Sequence, residues 1–155
     1  MIPEYKLFHG AVLAEIISDY GRRLTIDLAQ DDHRLLNYML NDKIGIQIKY
    51  ATQRLHPWHF TFPPDHVQSL MNLQSISSAV FLILVCNTEG IVAVRAEEVI
   101  PSLKAANGEQ SWLRADRKKR EMFRLYGPNG EFALKFKTNV RPITEALNQL
   151  ARSNT

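Results

Sequence analysis

Apolar side chains along this chain recur in two rhythms, one of about 3.6 residues and one of two. The helical rhythm comes first. Leu7, Val12, Leu13, Ile16 and Ile17 predict a helix over about 8–20, with Gly21 as its stop signal. Gly10 and Ala11 leave room on it for another backbone. The rhythm then shortens to two. "RLTIDLA" (23–29) sets Leu24, Ile26 and Leu28 against Thr25 and Asp27. "AQDDH" reads as a turn, "RLLNYML" (34–40) as a second strand and "NDK" (41–43) as a tight hairpin. "KIGIQIKYATQR" (43–54) carries the third strand. Ile44, Ile46, Ile48 and Tyr50 point one way, and Gly45, Gln47, Lys49 and Ala51 the other. "HPWHFTF" (56–62) is a fourth strand with Trp58, Phe60 and Phe62 on one face.

In "PPDHVQSLMNLQS" the helical rhythm returns. Asp65 is the expected N-cap and Val67, Leu70 and Met71 form the apolar stripe of a helix over 65–75. "AVFLILVC" (79–86) is apolar on both faces, which predicts a central strand covered on both sides. "IVAVRA" (91–96) follows as a strand, then a short helix over 97–103 that Pro101 weakens or ends. An edge strand is expected over 112–117. "EMFRLY" and "EFALKFK" flank "GPNG", a strong hairpin signal, with Phe132, Leu134 and Phe136 inward. A last helix begins near Pro142, with Ile143, Leu147 and Leu150 as its stripe.

This order predicts an α/β or α+β fold, a mixed central sheet with flanking helices plus a C-terminal β-hairpin and helix. At 155 residues one domain is expected, with a core over about 8–104 and a basic extension over about 111–152. The composition is globular. The N-terminus has no basic segment followed by an apolar one, so no signal peptide is read. The longest apolar run is far too short to span a bilayer. The single cysteine, Cys86, lies in that run and reads as a buried hydrophobe, so a cytoplasmic protein is expected.

Charge adds one feature. The net charge is +3, but from Ser111 onward ten Lys and Arg face four Asp and Glu. The sharpest cluster, Arg117, Lys118, Lys119 and Arg120, is joined by Arg124 and, across the hairpin, Lys135 and Lys137. Basic side chains at alternate positions of a two-stranded ribbon suit a phosphate backbone. Aromatic interleaving is poor, which favours backbone contact over base stacking. A basic edge also discourages edge-to-edge sheet association, which competes as an explanation.

The other chemical feature is on the third strand. Gln47 and Lys49, two apart, converge on one face, with Gly45 leaving space beside them. A strand lysine is unusual unless it is paired or reaches a cleft. The helix acid Glu15, the third-strand Lys49 and the order helix, β-meander, helix, central strand over about 8–95 resemble the PD-(D/E)XK nuclease superfamily. That resemblance implies a restriction-endonuclease-like fold and magnesium-dependent phosphodiester hydrolysis. In such a site Glu15 and Asp27 hold the metal, Gln47 stands at the motif's acid, and Lys49 positions the attacking water. Two departures follow. Gln47 offers an amide where the motif has a carboxylate, and Asn37 stands near the place of the preceding strand's Asp. Asp27, or Asp31 and Asp32 in the turn, would have to compensate.

The expected function is therefore a catalytically degenerate nuclease-like domain that binds DNA or a nucleic-acid-processing partner, with magnesium only if it is active. The alternative is a non-enzymatic domain whose basic hairpin docks an acidic protein. A zinc site is not expected, because His56 and His59 face opposite sides of a strand and no Cys or His pair stands elsewhere at ligand spacing. Glycine-rich phosphate loops, dinucleotide fingerprints and GxSxG elbows are all missing.

Overall fold

A computed structural model describes residues 1–29 and 35–153. Its helices are α1 (Glu4–Tyr20), α2 (Pro64–Ser75), α3 (Ala96–Lys104) and α4 (Arg141–Ser153). Its strands are β1 (Ile26–Ala29), β2 (Asn37–Leu40), β3 (Ile44–Ala51), β4 (Trp58–Phe62), β5 (Ala79–Cys86), β6 (Gly90–Arg95), β7 (Ser111–Asp116), β8 (Phe123–Gly127) and β9 (Gly130–Phe136). The expected mixed α/β content is present, arranged as two sheets. The "AQDDH" turn lies mostly outside the described residues.

β1-β2-β3-β5-β6 form a mixed five-stranded sheet in which only β3 and β5 run parallel. The β2–β3 turn is the hairpin expected at "NDK". Asn41 and Asp42 both adopt positive φ, at 51° and 57°, as a turn matched to strand twist requires. β4 does not continue this sheet. It pairs with β7 and leads an antiparallel sheet ordered β4-β7-β8-β9. The alternation of Trp58, Phe60 and Phe62 is correct, but a period of two is blind to which sheet a strand joins.

One face of the first sheet carries Ile44, Ile46, Ile48, Phe81 and Ile83. It packs against Val12 and Ile16 of α1 and Ile143 and Leu147 of α4. The other face carries Met39, Val80, Leu82, Leu84 and Val94. It meets α2, α3 and the inner face of the second sheet, with Phe60, Phe62, Leu113, Phe123 and Leu125. β5 is thus covered on both sides, as its unbroken apolar run predicts. β3 lies so close to α2 that a Cβ on Gly45 would come within 2.6 Å of Leu73 Cγ.

Several local expectations are corrected. The 112–117 strand is not an edge, since β7 lies between β4 and β8, and Asp65 sits in the first turn of α2, whose N-cap is Pro63. α1 starts at Glu4 and buries Val12 and Ile16, leaving Leu7 and Ile17 exposed; Gly10 has nothing within 4 Å of where a Cβ would stand. α3 runs through Pro101 to Lys104, held by buried Val99, Ile100 and Leu103. Leu134 is 53% exposed, in the part of β9 where the β8–β9 register shifts between Arg124 and Tyr126.

Candidate functional site

The strand alternation read from the sequence puts Gln47 and Lys49 on the α2 side of the first sheet. The pairing of β2 with β3 ends at Asn37–Gln47, so Lys49 lies beyond the last described partner. A cleft of about 540 Å³ opens there. Asn37, Gln47, Lys49 and His66 line it from the α2 side, and Tyr5, His9 and Tyr50 line it around the end of β2.

Lys49 is the charged group of this cleft. Its Nζ lies 2.7 Å from Nδ1 of His66, in the first turn of α2, and 4.8 Å from the centre of the Phe62 ring. Burial pulls its pKa down from 10.5 to about 8, against the opposing pull of the Asp65 carboxylate. Near neutral pH the amine is still mostly protonated and donates to the imidazole. Gln47 is only 2% exposed. Its Nε2 makes a long contact of 3.4 Å to the His66 carbonyl, and its Oε1 is buried without a partner among the described residues. Asn37 Nδ2 donates to Ser69 Oγ of α2 at 2.8 Å.

The α1 side is a hydrogen-bonded aromatic cluster. His9 Nδ1 and Tyr38 Oη are 2.9 Å apart, and Tyr5 meets the His9 ring edge-on at 5.5 Å. Burial lowers the His9 pKa, which favours the neutral ring in its contact with Tyr38. Burial raises the Tyr50 pKa, and the hydrogen-bonded Glu4 carboxylate raises it further. Phe8 stacks on Tyr50 at 4.6 Å.

Glu15 does not join this cleft. α1 packs on the opposite face of the sheet, so the sheet itself separates Glu15 from Lys49. Glu15 instead lines a second hollow, beside Glu89 and Asn87 at the β5–β6 turn. Asp27 is exposed on β1 opposite Met39, two strand spacings from β3, roughly 10 Å. Among the described residues no three of His, Cys, Asp and Glu gather where one cation would reach them. The cleft offers an ammonium, two amides and two imidazoles, which is poor chemistry for magnesium. The described residues therefore do not fit that ion. Asp31 and Asp32 lie outside them.

The basic cluster is split by the fold. Arg117 is a structural tie: it donates to the carbonyls of Glu121 and Glu89 and lies 5.1 Å from the Phe123 ring. Arg124 faces Glu131 at 3.8 Å. Lys118, Lys119, Arg120, Lys135 and Lys137 are exposed. Cys86 is fully buried, and burial lifts its pKa to about 12 against the pull of Arg117, so it is no nucleophile.

Sequence reasoning missed His66, Glu4 and the His9–Tyr38 pair. The legible signal for His66 was its place in the first turn of the helix that leads into β5, the parallel partner of the lysine-bearing strand. Nothing in the spacing marked Glu4, because α1 was expected to start later. No family model, curated protein or solved structure matches the chain. Among the described residues no helix is long and apolar enough to cross a membrane.

Proposed function

We propose that this is a nuclease-like domain that binds nucleic acid without cutting it, taking a phosphate-bearing part of the ligand into the Lys49 cleft. The observation that carries this reading is the placement of Lys49. It stands in a concave site with amide and imidazole neighbours; the acids that act on it, Asp65 on Lys49 and Glu4 on Tyr50, are not among the residues that line it. Such a lining favours an anion over a metal. The element order from α1 through β5, with β4 intervening, is compatible with the superfamily resemblance. A lone free cysteine agrees with a reducing cytoplasmic setting.

The test uses labelled DNA and RNA at low salt. Binding is expected in EDTA as in magnesium, weakening steeply with salt, and Lys49→Ala is expected to reduce it about tenfold. Plasmid incubated with Mg²⁺ or Mn²⁺ is expected to stay intact. Metal-dependent cleavage by the wild type would overturn the non-cutting part of this reading. Absence of any binding would overturn the rest. The exposed Lys118, Lys119 and Arg120 favour a second reading, the docking of an acidic protein. That reading predicts a stable co-purifying partner and no nucleic-acid binding at physiological salt.

A further inference from the structure

The second sheet has two unlike faces. Its inner face is core. Its outer face presents, in cross-strand register, His59 of β4 beside Arg114 of β7 beside Tyr126 of β8. Trp112 lies two residues from Arg114 on the same face and is 38% exposed, a large aromatic left uncovered on a strand. The Arg114 guanidinium lies over the Tyr126 ring at 4.3 Å. Toward the other end of β7 the face continues through Asp116, Arg124 and Lys135, which are also cross-strand neighbours. The β7–β8 loop there exposes Lys118, Lys119 and Arg120.

We infer that this outer face is a binding platform for single-stranded nucleic acid, with Trp112 and the Arg114–Tyr126 pair stacking bases and Arg124, Lys135 and the loop lysines holding phosphates. This rests on the nucleic-acid reading above and names the form of the ligand, at a surface separate from the Lys49 cleft. The two acids on the face do not cancel its charge. Asp116 lies 3.0 Å from His56 and 3.7 Å from Arg114, and Glu131 lies 3.8 Å from Arg124; beyond these pairs Lys135 and the loop's Lys118, Lys119 and Arg120 add positive charge that the two acids do not offset. Trp112 to Asp116 spans roughly 13 Å along the strand, room for about two bases. Unstacked bases lie readily on exposed rings, whereas a paired duplex keeps its bases stacked inside. The poor aromatic interleaving read from the sequence is thereby revised: β7 and β8 supply the rings across the sheet, where linear spacing does not reveal them.

Tryptophan fluorescence tests the idea, because the only other tryptophan, Trp58, is 3% exposed in the core. Titrating the full chain with an oligodeoxythymidylate 12-mer should quench emission, with saturation matching the anisotropy of the labelled oligomer. Trp112→Ala should weaken binding about tenfold. Arg114→Ala should weaken it several-fold, with both variants melting within a few degrees of wild type. Lys49→Ala should leave the quench in place, and a duplex of equal length should bind at least tenfold more weakly. Binding by anisotropy with unchanged emission, or a Trp112→Ala variant that binds like wild type, would overturn this platform while leaving the cleft reading standing. Equal quenching by poly-L-glutamate would overturn it too, as the face would then be selecting charge alone. No binding of any nucleic acid would overturn both.

Discussion

The ammonium of Lys49 and the Nδ1 of His66 sit 2.7 Å apart, joining the third strand of the first sheet to the first turn of the helix that covers it. The lysine reaches this partner from a half-buried position, and the desolvation it suffers there outweighs what the nearby Asp65 returns. The pair is thus a charged group held in place at some cost to the folded state, as expected where a cleft is shaped for a ligand.

That cost has a pH signature. Unfolded, Lys49 titrates near 10.5; folded, near 8. Below pH 8 both states carry the proton, and the folded state bears the full penalty of a buried charge. Between pH 8 and 10.5 the unfolded chain binds more protons, so this residue's contribution to stability improves as pH rises. Lys49→Met removes the titration. The variant is expected to be more stable than wild type at pH 7, with the gap closing across that window. Thermal melts of both proteins from pH 7 to 10.5 measure it, and parallel curves would refute it.

Gln47 sets the electrostatics of the same strand face. Replacing it with glutamate places a carboxylate two residues from the ammonium, where opposite charge favours the protonated amine. Gln47→Glu is therefore expected to raise the Lys49 pKa and slow its acetylation at pH 8 several-fold. Timed labelling with acetic anhydride and peptide mapping reads this out, the other lysines serving as internal controls. A Lys49 rate equal to wild type would mean that the two side chains do not share an environment.

The sequence made some of this legible and hid the rest for physical reasons. Alternation along β3 was enough to put Gln47 and Lys49 on one face, because side chains of a strand have no other choice. Asn41 and Asp42 announced their hairpin because few residues tolerate positive φ. Glu15 was misassigned because helical spacing fixes a helix's own apolar stripe and says nothing of which side of a sheet it will cover. Val12 and Ile16 were in the expected stripe, yet the sheet they pack on stands between Glu15 and Lys49. His66 came within reach of Lys49 only through the packing of α2, 17 residues further along the chain.

That packing depends on a glycine. A Cβ at Gly45 would lie 2.6 Å from Leu73 Cγ and 2.8 Å from Ser77 Oγ, both on the α2 side. Real contacts are longer, so α2 would have to move outward and its grip on the cleft would loosen. Gly45→Ala is expected to cost about 1–3 kcal/mol of stability, as overpacking in a tight core does. It should also weaken nucleic-acid binding by displacing His66. Denaturant melts and the anisotropy assay check both effects; a variant as stable as wild type would show that α2 yields without penalty.

A second tie between α2 and the sheet is polar. Ser69 is fully buried, and its hydroxyl accepts the amide of Asn37, the residue opposite Gln47 at the floor of the cleft. Ser69→Ala keeps helix propensity and nearly the same volume, and it takes this one acceptor from the Asn37 amide. Such a loss costs about 1–3 kcal/mol, against almost nothing for the same change on a surface. The double change Ser69→Ala with Asn37→Leu removes both partners and should recover part of that loss. If chemical denaturation shows the double variant less stable than the single changes combined, the hydrogen bond is not what Asn37 is there to make.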